Sequence, residues 1–128
     1  LGNLNVAMYF NFAWDIDEGF QKPILNKKPN GKTINLGSGL EIKIIELIEI
    51  IKKISNKEFK FKIKSNRIRP ENSEVFRLIA SNKKALKILN WKPKFSNRAN
   101  FKKALKITYD WYKDSNNLKN FYTDDYNL

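Results

Sequence analysis

The stretch INLGSGLEIKIIEL, residues 34–47, constrains the fold of this chain more than any other part of the sequence. It joins a short β-branched run, two glycines one residue apart, and apolar residues at helical spacing. A strand, a glycine turn and a helix in this order are typical of α/β proteins, in which such a turn can present backbone amides to a phosphate. The chain is therefore predicted to be α/β, and the turn raises the question of nucleotide binding.

The two glycines do not complete a dinucleotide fingerprint. The full pattern Gly-x-Gly-x-x-Gly needs a third glycine where the helix packs closely on the strand. Here Gly37 and Gly39 fill the first two places and Ile42 fills the third, where a branched side chain would push the helix off the sheet. The acidic residue expected after the next strand is also absent, because FKFKIK runs into Ser65 and Asn66. The pattern therefore favours an ordinary turn over a cofactor site.

Periodicity and turn residues divide the chain into short strands and helices. Strands are predicted at 9–14, 33–36 and 58–63. Helices are predicted from Asp15 to about Asn26, over 42–54, from Ser81 through Leu89, and from Ser96 or Asn97 onward. The tail after the last helix shows no period and is predicted to be loose, or ordered only against a partner.

Single residues within these elements carry specific predictions. Asp15 and Glu18 have the spacing of a capping box, and Pro23 is expected to kink or shorten the first helix. Asn90 is expected to end its helix because asparagine tolerates the left-handed conformation. The last helix is predicted to share one buried face made of Phe101, Ala104, Leu105, Thr108, Trp111 and Tyr112.

Composition excludes several function classes. The chain has 128 residues, about one domain, with no cysteine and no histidine, so disulfides, thiol-ligated metals and histidine-based triads are not expected. No apolar run has membrane-spanning length and no secretory signal opens the chain, which predicts a cytoplasmic protein without a membrane partner. The first residue is Leu1, which suggests a fragment of something longer.

The net charge of +12 raises the hypothesis of a small basic module that binds nucleic acid. Lysines are nevertheless scattered through every segment, as on a solvated surface, and only four arginines are present: Arg67, Arg69, Arg77 and Arg98. The scatter disfavours a dedicated nucleic-acid surface.

Tyr109 and Lys113 have the Tyr-x-x-x-Lys spacing in which a lysine one helical turn away lowers the pKa of a catalytic tyrosine. Both residues lie on the last predicted helix, with Asp110 and Asp114 close by. We interpret them as a surface pair rather than a catalytic one.

The segment RIRPENSEVFRL, residues 67–78, is more informative. Two arginines one residue apart can present two planar forks, and Pro70 restricts the loop behind them. Such forks bind diphosphate oxygens bidentately, and Glu74 could accept hydrogen bonds from sugar hydroxyls. On chemistry alone, a solvated basic loop remains an equal alternative.

The runs NLGSG, ELIEII, RIRPENSEVFRLIASNKKALKILNWKPK and FKKALKITYDWY resemble the carboxyl-terminal, substrate-binding part of extended short-chain dehydrogenases/reductases. The resemblance is strongest to nucleotide-sugar 4,6-dehydratases and epimerases, especially the branch related to GDP-mannose 4,6-dehydratase. LGNLN and FNFAWDIDEGF resemble that group as well. The resemblance implies a small mixed lobe of about four helices and few short strands over residues 1–114, followed by a loose tail at 115–128.

The resemblance also implies what this lobe does and lacks. Arg69 would contact the nucleotide diphosphate and Glu74 a ribose hydroxyl, with Arg67 as a weaker candidate, while Asn3 and Leu4 would approach the nucleotide. NAD, or alternatively NADP, and the catalytic residues would belong to an amino-terminal Rossmann lobe outside this chain. The parent enzyme would be a homodimer or homotetramer that acts on a nucleotide-diphosphate sugar, and the chain alone would be inactive.

The sequence departs from that group at Met8, Tyr9 and Phe10, where an Arg-Asp-Phe or Arg-Asp-Trp run is typical. Loss of that arginine removes a charge-assisted contact of about 1.5–3 kcal/mol, roughly ten- to a hundredfold in affinity. A third hypothesis, beside the substrate-binding lobe and the nucleic-acid module, is a nonfunctional remnant that does not fold alone because its apolar faces were shaped to pack on a missing lobe.

Overall fold

A computed structural model of the chain describes residues 2–25, 29–65 and 80–119. Over these residues the chain is mixed α/β, with five helices and one two-stranded sheet. In chain order the elements are β1 (Ala7–Tyr9), α1 (Ala13–Ile24), β2 (Glu41–Lys43), α2 (Ile44–Ser55), α3 (Lys83–Leu89), α4 (Arg98–Lys113) and α5 (Ser115–Leu118). The predicted α/β class is confirmed for this part of the chain.

The sheet is an antiparallel pair that ties the amino-terminal segment to the start of α2. The register pairs Ala7 with Lys43, Met8 with Ile42, and Tyr9 with Glu41. Two further hydrogen bonds extend the pairing, because the amides of Ile44 and Ile45 donate to the carbonyls of Val6 and Leu4 at 3.2 and 3.1 Å. Residues 4–6 are thereby held against the first turn of α2.

Two apolar clusters form the core. The first joins α2, α4 and β2 through Ile42, Ile50 and Phe101, with Phe10, Leu40, Leu47, Ile54 and Leu105 packed around them. The second, called here the Trp91 cluster, consists of Ala85, Leu89 and Trp91, with Ile34, Leu36 and Ile88 packed against it.

Helix α1 packs against the Trp91 cluster at Gly19. A side-chain carbon at this position would lie 2.6 Å from Cδ1 of Leu36 and 3.2 Å from Nε1 of Trp91, so only glycine fits without displacement. The indole Nε1 of Trp91 also donates to the carbonyl of Asp15 at 3.0 Å. The buried indole N–H of Trp91 therefore has a hydrogen-bond partner, as buried Trp N–H groups usually do.

Several local predictions are confirmed. Helix α2 lies within about one turn of the predicted 42–54, and α3 ends at Leu89 as predicted. Asn90 caps α3 in the left-handed conformation, with φ of 50°. Asn97 caps α4, and its Oδ1 accepts a hydrogen bond from the amide of Asn100 at 2.9 Å.

Three strand predictions are wrong or misplaced in the described residues. Residues 33–36 and 58–63 form no strand, and the strand predicted at 9–14 ends at Tyr9, after which α1 begins at Ala13. The physical reason is that an alternating sequence forms a strand only where a neighbouring strand can share its backbone hydrogen bonds. Among the described residues, only β1 and β2 pair with each other in this way.

Two predictions of local contacts are also wrong. Asp15 does not cap α1, because the helix begins two residues earlier and the carboxylate faces the interior. Trp111 and Tyr112 do not lie on a buried face, since they are 43% and 50% exposed. The buried part of α4 is its first half, at Phe101 and Ala104, where α2 lies alongside. Pro23 stands in the last turn of α1, which ends at Ile24.

The boundary between a lobe at 1–114 and a tail at 115–128 stays a prediction. Helix α5 lies just after that boundary, and residues 120–128 lie outside the described part of the chain. In the described ranges, no helix combines the length and apolar character needed to cross a membrane.

Candidate functional site

The amino-terminal segment forms one wall of a concavity of about 380 Å³. Among the described residues its lining comprises Gly2, Asn3, Leu4, Asn5, Ile45 and Ile63. Of the five residues predicted to bind substrate, the structure therefore brings Asn3 and Leu4 together. The main chain here is fixed from both sides, because Leu4 accepts from the amide of Ile45 and Oδ1 of Asn3 accepts from the amide of Asn5 at 3.0 Å.

The side chain of Asn3 carries an NH₂ donor group on Nδ2 beside its acceptor oxygen. Its Oδ1 closes a local turn on Asn5, while no described residue accepts from its Nδ2. A carboxamide NH₂ with two donors suits a phosphate or carbonyl oxygen. Leu4 and Ile45 add apolar surface beside it, which is the mixture of a few polar groups on an apolar lining found in small-molecule sites.

The lining also includes Ile63, which is half exposed. In the sequence, Ile63 stands four residues before Arg67. Arg67, Arg69 and Glu74 lie outside the described residues, and their predicted roles stay predictions.

The GSG turn is a packed junction within the protein. A side-chain carbon at Gly37 would lie 3.1 Å from the carbonyl oxygen of Ala80, and the Gly37 carbonyl accepts from Nδ2 of Asn82 at 3.1 Å. The amide of the buried Ser38 donates to Oδ1 of Asn11 at 2.7 Å. The close approach that glycine permits at position 37 is therefore made by Ala80 of the same chain.

The position of the helix supports the same conclusion. Helix α2 begins at Ile44, and strand β2 separates it from Gly39, so the glycines do not lie at a helix amino terminus. Ile42, which stands in the place of the third glycine, is fully buried in β2. The interpretation as an ordinary turn is confirmed, and φ of +70° at Gly39 accounts for that glycine.

The Tyr-x-x-x-Lys pair is on the surface as predicted. Nζ of Lys113 lies 5.8 Å from the ring centroid of Tyr109, and Lys113 is exposed. Neither residue is among the described residues that line the concavity. Across the part of the chain that the structure describes, no group of three or more histidine, cysteine, aspartate or glutamate side chains could hold a metal ion.

Sequence reasoning missed the main role of Asp15. Its side chain is 3% exposed, and its two carboxylate oxygens accept from the amides of Lys94 and Phe95 at 2.8 and 3.0 Å. Together with the bond from Trp91, these contacts fasten α1 to the turn after α3. The sequence signal for this contact was WKPKF, because a turn around a proline leaves backbone amides that need hydrogen-bond acceptors.

A second contact joins the same two elements at the surface. Oε2 of Glu18 lies 2.9 Å from Nζ of Lys94. The hydrogen bond from Lys94 lowers the pKa of Glu18, and the same bond raises the pKa of Lys94. Because both groups are exposed to solvent, this pair adds little to the free energy of unfolding compared with Asp15.

No protein-family model matches the chain. The Arabidopsis thaliana protein named "Putative GDP-L-fucose synthase 2" is 35% identical over 82 residues, which are 64% of this chain and 22% of that protein. The chain thus spans about a fifth of this curated relative.

Solved structures match over most of the chain. The structure of RMD from Pseudomonas aeruginosa complexed with NADPH superposes with a TM-score of 0.69 and 25% identity, covering 88% of this chain and 35% of that one. UDP-glucose 4-epimerase of Thermotoga maritima with UDP-glucose gives a TM-score of 0.74 at 20% identity, covering 90% and 34%.

The chain therefore shares its fold with about one third of each of these proteins. The first of these two structures contains NADPH and the second contains UDP-glucose.

Proposed function

We propose that this chain is the substrate-binding part of an NAD-dependent nucleotide-sugar 4,6-dehydratase or epimerase. It would hold the nucleotide diphosphate so that the sugar meets the nicotinamide of a Rossmann lobe outside the chain. The observation that carries the proposal is the concavity lined by Asn3, Leu4 and Ile63, the last of which stands four residues before Arg67 in the sequence.

The chemistry of this wall suits a nucleotide. Asn3 offers donors, Leu4 and Ile45 offer apolar surface, and the paired main chain keeps all three in position. A site of this kind orients a ligand without reacting with it, which contributes to catalysis by positioning.

The RIRP segment would supply the charge. In this proposal the Arg69 guanidinium binds the diphosphate, with Arg67 as a weaker contributor, and Glu74 accepts from a ribose hydroxyl. Arginine is suited to the task because its planar fork binds two phosphate oxygens at once. The GDP-linked branch of the dehydratases is the preferred parent group, and the resemblance of RPENSEV supports that preference.

Reaction chemistry would belong to the complete enzyme. The chain has no histidine or cysteine, and its Tyr-x-x-x-Lys pair is a surface pair. We therefore expect no turnover from the isolated chain with NAD and any nucleotide sugar. A measurable rate under those conditions would contradict a purely substrate-binding role.

The binding test is a calorimetric titration of the chain with GDP-mannose and UDP-glucose. Arg69→Gln is expected to weaken binding about ten- to a hundredfold, because it removes a contact of about 1.5–3 kcal/mol. Arg98→Gln is the matched control and should leave affinity unchanged. Arg98 stands at the start of α4 and forms an ion pair with Glu46. Equal loss in both variants would contradict the assignment of Arg69.

A nucleic-acid module is the alternative, and one observation favours retaining it. Residues 57–65 are all exposed, and lysines alternate there with Phe59 and Phe61. Bases stack on such aromatic rings while lysines bind the phosphates. The same titration with a single-stranded oligonucleotide separates the two functions, because oligonucleotide binding would fall steeply with salt and would be unaffected by free nucleotide sugar.

A further inference from the structure

A second concavity, called here the aromatic pocket, lies between α2 and α4 at the segment that follows β1. Its volume is about 190 Å³, and its described lining is mostly apolar. Helix α2 contributes Leu47 and Ile51 to this lining. The aromatic pocket shares no described lining residue with the concavity at Asn3 and Leu4. The two concavities are therefore separate candidate sites.

Short side chains of α4 account for the open space. Ala104 and Thr108 lie one helical turn apart and both line the aromatic pocket, while Leu47 and Ile51 line it from α2. Phe101, one turn earlier, is large and buried in the core cluster that joins the two helices. Close-packed interiors fill such positions with larger side chains, so α2 and α4 touch at Phe101 and leave a gap beyond it.

Four phenylalanines line the aromatic pocket in two contacting pairs. The ring centroids of Phe10 and Phe101 are 5.8 Å apart, with an angle of 41° between the ring planes. Those of Phe12 and Phe95 are 4.5 Å apart at 59°, and the exposed Trp14 lies 5.1 Å from Phe12. Aromatic rings stabilise one another in tilted and edge-to-face contacts beyond the area that they bury. Such a lining prefers an aromatic ligand to an aliphatic one of the same size.

Two polar side chains and no charged one complete the described lining. Oδ1 of Asn11 accepts from the amide of Ser38 at 2.7 Å, which holds the side chain in place, and its Nδ2 carries two N–H donors. The hydroxyl of Thr108 donates to the carbonyl of Ala104 at 3.0 Å, and its oxygen can accept a further hydrogen bond. A charged ligand would lose its hydration here without gaining an opposite charge. The lining therefore suits a neutral ligand.

The volume limits the size of such a ligand. A cavity of about 150 Å³ lined by leucine, isoleucine and phenylalanine side chains is large enough to bind benzene. At about 190 Å³, the aromatic pocket has room for one ring or two fused rings.

We propose that the aromatic pocket binds a neutral aromatic molecule of one or two rings. The ligand would pack against the two phenylalanine pairs, and one polar ring atom would bind Asn11 or Thr108. The inference goes beyond the proposed function and does not depend on it, because neither Asn3 nor the RIRP segment takes part.

The test is an NMR titration of the 128-residue chain with indole. The methyl resonances of Leu47 and Ile51 should shift along one saturation curve, and nuclear Overhauser contacts should join indole protons to the ring of Phe101. The amide resonances of Asn3 and Leu4 should not shift. Phenol and cyclohexanol are a matched pair of ring size, and phenol should bind several-fold more tightly because its ring is aromatic.

Matched variants locate the ligand. Ala104→Leu places apolar bulk inside the aromatic pocket and should weaken indole binding roughly tenfold or more, because ligand and side chain compete for one space. Ala99→Leu makes the same change at an exposed position of α4 and should leave binding unchanged. Thr108→Leu narrows the pocket from a position that is also exposed, so it tests the same point should Ala104→Leu fail to fold. A cooperative thermal transition checks the folding of each variant.

Three results would overturn the proposal. Saturable shifts at Asn3 and Leu4 in place of Leu47 and Ile51 would assign indole to the other concavity. Unchanged affinity in the folded pocket-filling variants would place the ligand outside the aromatic pocket, and the absence of any saturable shift would remove the ligand. Titration with GDP-mannose tests the proposed function on other residues, so either idea can fail without the other.

Discussion

Replacing Asp15 by asparagine should destabilise the fold far more than the same replacement two residues later. The Asp15 carboxylate is 3% exposed and accepts from the amides of Lys94 and Phe95 at 2.8 and 3.0 Å. Asparagine keeps one acceptor and turns an NH₂ toward the second amide, which then has no partner. Loss of a hydrogen bond to a charged group costs about 1.5–3 kcal/mol, and an unsatisfied amide adds to it, so we expect about 2–4 kcal/mol.

Asp17→Asn is the control. Asp17 lies on the same helix, is exposed, and accepts a side-chain hydrogen bond from Gln21 at 2.9 Å. Its replacement should change the free energy of unfolding by less than about 0.5 kcal/mol. The assays are urea unfolding and thermal unfolding, both followed by circular dichroism, and the thermal scan should show a fall in Tm of roughly 10 °C for Asp15→Asn.

Two outcomes would refute this reasoning. If Asp15→Asn and Asp17→Asn unfold at the same urea concentration, the carboxylate does not hold α1 to the turn after α3. If the unsubstituted chain shows no cooperative transition, the chain does not fold alone and the remnant hypothesis is favoured.

Three further predictions concern single positions and are checked by the same unfolding assay. Gly19→Ala should destabilise by about 1–3 kcal/mol although alanine favours helices, because its side-chain carbon would meet Leu36; a stabilised variant would refute the packing. Asn90→Ala should cost about 1–2 kcal/mol at φ of 50°, whereas Asn90→Gly should cost little or stabilise. Glu18→Gln should lower stability slightly at neutral pH. Because the pKa of Glu18 is lowered in the folded state, its contribution is present above the ordinary value of 4.5 and should vanish as pH falls through the lowered pKa. High salt should reduce the same difference, and a difference that persists at low pH would assign it to something other than the Lys94 contact.

The parts of the fold that the sequence predicted depend on local signals. The end of α3 at Asn90 and the start of α4 at Asn97 depend on conformations and caps within a few residues, and the structure agrees with both. The two-glycine turn was recognised as ordinary from one local steric objection at Ile42, which is fully buried.

The parts that failed depend on distant partners. The alternation at 33–36 and 58–63 predicts strands, yet pairing requires a neighbour that the described residues do not provide. Asp15 has the spacing of a helix cap, but its two carboxylate oxygens accept hydrogen bonds from amides 79 and 80 residues away in the sequence. No local pattern reveals these contacts.

The candidate site was predictable in part. Asn3 and Leu4 were proposed from resemblance, and the structure places both at one concavity with Ile63. No periodicity would have selected them, because their position depends on the pairing of Leu4 with Ile45.

The most direct test of the central claim is an NMR titration of the chain with GDP-mannose that follows every backbone amide. If the concavity binds the nucleotide, the amide resonances of Asn3, Leu4 and Ile45 should shift with a common saturation curve. The amide resonances of Gly37 and Gly39 should not shift. Shifts confined to the glycine turn, or none at millimolar sugar nucleotide, would contradict the account.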